Sequence, residues 1–266
     1  MRTNWRLFLT ASLAVTLASS AGATGIVYSA GFENPPFNTG SIVGQDGWVA
    51  GSGTGGSQSI INTFARTGSQ SLFWDNSTTN SSFYSVRRSF NGLSGAITPT
   101  TPLEISCWIY VDPATGVDRL YGVYATNSGT GTLGSTTLGI TISGSGAVRA
   151  GKTWSSTYSA APLYTDPQAL VGRWAKVELT YNGVDGGAAV YDSNGILLWS
   201  TTFTAVTLGN ANGTGTNSWN VNLGSDYNLT TARLGKGYHD DFLVRVVPEP
   251  AALLLLSLGV LALRRR

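Results

Sequence analysis

Nine consecutive residues, Leu103 to Val111, alternate without a break. Leu103, Ile105, Cys107, Ile109 and Val111 are apolar, and Glu104, Ser106, Trp108 and Tyr110 lie between them. Successive side chains of a strand leave opposite faces, so the segment reads as a strand with one face in a core. Arg173 to Tyr181 repeats the pattern: Ala175, Val177, Leu179 and Tyr181 oppose Trp174, Lys176, Glu178 and Thr180. Further strands are expected at Ile26–Glu33, Ser59–Phe64, Ser71–Trp74, Phe83–Phe90, Leu120–Ala125, Thr137–Ile142, Ala188–Tyr191, Ile196–Phe203 and Asp241–Val246. Turn signals stand between them at Asn91-Gly92, Asp185-Gly186 and Asn194-Gly195. No long stretch of helical period occurs, so the pattern predicts an all-β sandwich or barrel. No fixed-period repeat is present, which excludes a propeller or a β-helix. The Gly/Ser/Thr runs Gly51–Ser57, Asn127–Ser135 and Gly209–Ser218 read as loops of one domain.

Charge is scarce and unevenly placed. Charged residues make up 11% of the chain, against a typical value of about 25%. The formal net charge is +2, but Arg2, Arg6, Arg264, Arg265 and Arg266 sit at the ends. Without those five, 11 of the 16 basic residues face all 14 acidic ones, and the body carries about −3. A weakly acidic body without a basic run argues against nucleic acid as a partner. Ser, Thr, Asn and Gly fill the surface, as in extracellular proteins, and disfavour helix. Cys107 is the one cysteine, so no internal disulfide forms.

Both ends are apolar with basic flanks. Met1 to Arg6 carries two arginines, Leu7 to Leu17 is mostly apolar, and Ala21-Gly22-Ala23 is a small-x-small site. This is the pattern of a signal peptide (1–23) with a short signal helix, cleaved after Ala23. The other end reads Val247-Pro248-Glu249-Pro250, then Ala251 to Leu263 of mostly Ala and Leu, then three arginines. A helix over that run is about 20 Å long, short of the roughly 30 Å hydrocarbon core, so transient membrane insertion is expected. Arginines at its end favour the cytoplasmic side. Pro248 and Pro250 keep the motif extended and accessible.

Segment 247–266 resembles the PEP-CTERM sorting signal of Gram-negative bacteria. The resemblance implies recognition of Pro248, Glu249 and Pro250 by an exosortase-type processing enzyme. It implies export across the inner membrane to the cell envelope, outer surface or extracellular matrix, and an association with biofilm and exopolysaccharide. The body, 24–246, resembles the concanavalin A-like lectin/glucanase superfamily, a two-sheet jelly roll. That resemblance rests on Gly31-Phe32-Glu33, Gln45-Asp46-Gly47-Trp48, Thr67 to Leu72, Trp174 to Gly195, and Tyr238-His239-Asp240-Asp241-Phe242.

Catalytic patterns are missing. Glycoside hydrolysis needs two carboxylates facing one bond. Glutamate occurs only at Glu33, Glu104, Glu178 and Glu249, and the Glu-x-Asp-x-x-Glu strand of the laminarinase-like members does not occur. Glu104 and Glu178 are both on polar sides of their strands and are expected to be solvated outer residues. His239, the one histidine, is expected to be exposed and charge-stabilised by Asp240 and Asp241 rather than a base. Cys107 is expected to be a buried structural thiol. The jelly-roll resemblance implies a possible structural calcium held by Glu33 with Asp240 or Asp241, since calcium takes carboxylate and carbonyl oxygens.

The remaining signal is aromatic. Trp108, Tyr110 and Trp174 lie on polar strand faces, and Trp154 and Trp219 lie in polar segments. Aromatic planes mixed with hydrogen-bonding groups suit sugar rings. The expectation is a non-catalytic, polysaccharide-associated envelope protein. The alternatives are a structural biofilm or envelope component without a defined ligand, and a divergent glycan-active enzyme.

Overall fold

The computed structural model describes residues 25–51, 57–77, 83–91, 97, 99, 101–126, 137–155, 161–206, 208, 218–227 and 234–247. The expected signal helix and C-terminal helix, with Ala23, Pro248, Glu249 and Pro250, lie outside them. Among the described residues no helix is long and apolar enough to cross a membrane.

In chain order the strands are β1 (Gly25–Ala30), β2 (Gly40–Ser41), β3 (Trp48–Ala50), β4 (Ser57–Ile61), β5 (Ser71–Asp75), β6 (Tyr84–Asn91), β7 (Leu103–Val111) and β8 (Arg119–Thr126). Then follow β9 (Thr137–Ser143), β10 (Ala147–Gly151), β11 (Tyr164–Thr165), β12 (Trp174–Tyr181), β13 (Gly186–Tyr191), β14 (Leu197–Phe203), β15 (Ser218–Tyr227) and β16 (Lys236–Val246). A single helical turn, α1 (Pro167–Leu170), starts at Pro167 and is capped by Asp166, whose carboxylate accepts the Ala169 N–H at 3.0 Å.

The strands form two antiparallel sheets. Sheet A has the order β14-β13-β12-β7-β16-β5-β4-β2, with β1 also on β16, and sheet B the order β11-β10-β9-β8-β15-β6-β3. The expected all-β two-sheet jelly roll is the observed fold. The alternation on β7 and β12 does what it predicts: Ile105, Cys107, Ile109, Val177 and Leu179 are buried against Tyr121, Val123, Ile140, Val221 and Leu223 of sheet B. Each such side chain contributes about 1.5–3 kcal/mol through burial.

Four details differ from expectation. The Asp185-Gly186 turn lies two residues earlier: Asn182 accepts N–H bonds from Val184 and Asp185 on its side-chain oxygen, Gly183 takes φ +94°, and Gly186 already belongs to β13. The final strand starts at Lys236, and β15 occupies a stretch with no expected strand. Trp219, expected in a polar loop, is on β15, 2% exposed in the core, with its ring 5.4 Å from that of Tyr181.

β16 carries a bulge between Asp240 and Leu243, where Asp241 adopts φ +45°. Before the bulge its flank pairs with β5 (Lys236–His239), and after it with β1 (Phe242–Val246). Asp240 and Asp241 therefore stand where β1 and β5 meet.

Candidate functional site

The bulge explains how two consecutive aspartates reach one loop. Strict alternation would send them to opposite faces, but here both hold the segment joining β4 to β5. Asp240 Oδ2 accepts the backbone N–H groups of Arg66 (2.8 Å) and Thr67 (3.3 Å), and its Oδ1 accepts the Asp241 N–H (2.8 Å). Asp241 pairs with the Arg66 guanidinium at 2.7 Å and accepts the Thr67 hydroxyl at 2.6 Å. Glu33 accepts the N–H groups of Ser69 and Gln70 and the Ser69 hydroxyl, each at 2.8 Å. Three of the quoted motifs thus interlock: Gly31–Glu33, Thr67–Leu72 and Tyr238–Phe242.

Burial pushes the Asp240 carboxyl up to about 7, helped by the Asp241 charge and opposed by its three N–H donors. Desolvation also acts on Glu33, but the donors of Gln70 and Ser69 outweigh it and hold that carboxyl below its usual value. This chemistry does not fit calcium at Glu33, Asp240 and Asp241. Calcium needs six to eight oxygens, whereas these carboxylate oxygens already accept loop donors and a guanidinium takes the cationic place. Among the described residues no three His, Cys, Asp or Glu side chains gather in a metal-binding group.

Trp108, Tyr110 and Trp174 do share the outer face of sheet A and are half-buried, with Trp174 paired to Tyr110 across β12 and β7. The same loop roofs them. Phe64 stacks on Trp174 (centroids 5.5 Å apart, planes 10°) and lies 4.7 Å from Tyr110 and from Tyr238. The Arg66 guanidinium sits 3.5 Å above the Trp108 ring. The positions a sugar ring would take over Trp174 and Trp108 are filled by Phe64 and Arg66.

Open space on this face lies farther along, over β12, β13 and β14. A trough of about 260 Å³ is lined by Glu178, Thr180, Tyr191, Leu197, Ser200 and Thr202 among others. Glu178 accepts from Lys176 Nζ at 2.7 Å and from the Tyr191 hydroxyl at 3.2 Å. The Glu178 carboxylate raises the Tyr191 hydroxyl pKa, after burial, to about 12. Glu104 pairs across the strands with Thr180, and Glu178 with Ser106, so the two glutamates are diagonal neighbours. Their spacing is on the order of 7 Å. Both were expected in solvent; Glu104 is instead 9% exposed and paired with Arg245 at 2.8 Å.

The other candidates go elsewhere. His239 was expected at the surface but is fully buried between the sheets. Trp74 Nε1–H donates to its Nδ1 at 2.8 Å, so the proton is on Nε2, which faces the Gly122 carbonyl at 3.2 Å. Burial holds its pKa down to about 3. Cys107 is buried as expected, and desolvation raises its thiol. Trp154 lies against Phe83 (5.3 Å) beside sheet B and donates to Asp226 at 3.0 Å.

Sheet B holds polar residues that the sequence reading missed. Tyr124 and Asn222 are Cα partners on β8 and β15, and both are fully buried on the outer face of that sheet. The Tyr124 hydroxyl, the Thr126 hydroxyl and both amide atoms of Asn222 have no hydrogen-bond partner among the described residues. The available signal was the alternation of Trp219, Val221 and Leu223 with Asn220, Asn222 and Gly224.

Residues 246–266 match a family model described as the PEP-CTERM protein-sorting motif. That motif marks an exported protein sorted to the cell envelope. No protein of curated function matches the sequence. The fold is similar to that of a carbohydrate esterase from Shiga toxin-encoding bacteriophage phi24B, at 15% identity over 84% of this chain and 99% of that one, with a TM-score of 0.54. It is also similar to an endo-β-1,4-glucuronan lyase from the fungus Trichoderma reesei, at 13% identity over 83% of this chain and 95% of that one (TM-score 0.50). Lectin II from Ulex europaeus aligns at 10% identity over 84% and 99% of the two chains (TM-score 0.49). The likeness to the esterase and the lyase establishes a shared fold and no more.

Proposed function

We propose that this exported protein holds polysaccharide at the envelope without cleaving it, in the trough on the outer face of sheet A. The observation that carries the reading is the lining of that trough: a carboxylate (Glu178), a phenol (Tyr191) and the hydroxyls of Thr180, Ser200 and Thr202 converge on open space beside Leu197. Sugars offer hydroxyl edges to such acceptors and donors and apolar CH faces to such rings. A glycoside hydrolase needs two carboxyl groups flanking one scissile bond. Glu104 and Glu178 are each engaged by a cation of their own, Arg245 at 2.8 Å and Lys176 at 2.7 Å, rather than facing one another across a gap. The sorting enzyme in this reading is an exosortase, and the destination is the outer surface or matrix of a Gram-negative bacterium.

The test is titration calorimetry of the purified protein against neutral and acidic polysaccharides, with the reaction monitored for released sugar ends. Binding without release is expected, and Tyr191→Ala with Thr202→Ala should abolish it. Release of sugar ends would overturn the non-catalytic reading.

A further inference from the structure

The sorting motif follows the body with no spacer. Val246 ends β16 paired on one side with Leu103 and on the other with Gly25, and Val247 donates its N–H to the Pro102 carbonyl at 2.9 Å. The matched motif begins at 246, so its first residue is still inside the sheet. A chain advances at most about 3.6 Å per residue, so Pro248 to Pro250 stay within roughly 11 Å of that last hydrogen bond, whatever path they take. An enzyme that grips those residues must touch the body.

The surface it would meet has a defined shape. Pro102 is one wall of a cleft of about 470 Å³, with Tyr181, Asn182, Asp185, Phe203 and Thr204 among the others. Pro102 and Phe203 supply apolar surface, while Asn182 and Thr204 supply hydrogen-bonding groups. Among the described residues Asp185 is the one charged side chain of the lining, and Lys152 Nζ donates to the Thr204 carbonyl at 3.0 Å. That mixture of apolar surface and hydrogen-bonding groups suits a polypeptide.

We propose that this cleft is a docking surface for the sorting enzyme that reads Pro248-Glu249-Pro250, so that the enzyme recognises the folded body together with the motif. The proposal rests on the reading of the chain as a sorted substrate, and the experiment separates the two. Full-length chains are expressed in the native host, and the fraction retaining the tail is followed by intact mass. One variant carries a ten-residue Gly/Ser insertion between Val247 and Pro248, and another carries Phe203→Asp. A control carries the same insertion at the exposed Asn194 turn. The first two should lose the tail about tenfold more slowly than the natural chain, the effect of losing a central interface contact, and the control at the natural rate. Removal at the natural rate from the Val247–Pro248 insertion overturns the proposal. That variant leaves the body untouched, so it decides the matter even if Phe203→Asp fails to fold. A chain with Pro248→Ala and Pro250→Ala that still loses its tail normally overturns the sorting reading instead.

Discussion

The guanidinium of Arg66 lies 2.7 Å from a carboxylate oxygen of Asp241, a residue 175 positions later, while the same group stacks 3.5 Å above Trp108. One side chain therefore closes the seam beside β1 and covers an aromatic ring that would otherwise be open. The contact ties the packing of the terminal strands to the shape of the outer face.

Removing it should loosen both. Arg66→Ala loses a partly exposed ion pair and a cation–π contact, together about 1–2 kcal/mol. In a domain of this size the melting temperature should fall by about 2–8 °C. Asp241→Asn, which keeps the stack, should cost less; an equal loss would mean that the stack contributes nothing.

Phe64→Ala should uncover Trp174. Because Phe64 is only half-buried, the cost should be below the roughly 3–5 kcal/mol of a fully buried phenylalanine. Tryptophan fluorescence should become more accessible to acrylamide. Unchanged quenching would mean that Phe64 is not the roof.

Chelation gives a third expectation. Loop donors occupy the carboxylates of Glu33, Asp240 and Asp241, so excess EDTA should leave the melting temperature unchanged. A drop of several degrees would place a cation at this seam after all.

Asp240 sets one pH dependence. Its folded pKa, raised by burial to about 7, exceeds the unfolded value near 3.9. The folded state binds the extra proton between these values, so this group's contribution is full below about pH 4 and is lost as pH rises through about 7. Asp240→Asn should remove that slope from melting curves recorded across the range. An unchanged slope would show that Asp240 ionises at an ordinary pH.

His239 acts in the opposite sense. Its folded pKa near 3 lies below the unfolded value of about 6.5, so its contribution is full above pH 6.5 and is lost as pH falls toward 3. Nitrogen chemical shifts should show a neutral imidazole from pH 8 to 4.5, with the proton on Nε2. A titration midpoint near 6.5 in the folded protein would contradict the buried Trp74–His239–Gly122 bridge.

The two-sheet architecture was legible from the residues because alternation is a local property. A strand with Ile105, Cys107 and Ile109 on one side can bury only that side, whatever its partners. The sorting motif was legible for the same reason, since its parts are contiguous. What tertiary structure alone decided was what each side chain meets. Trp108 and Trp174 sit where alternation put them, but their availability depends on Phe64 and Arg66, held by carboxylates at the far end of the chain. His239 carries no local sign of burial; it is inside because the facing sheet lies over it. That the buried Asn222 amide has no partner among the described residues was invisible because hydrogen-bond satisfaction depends on neighbours across strands. Periodicity tells a side chain which way to point, and only the packed fold tells it what it meets there.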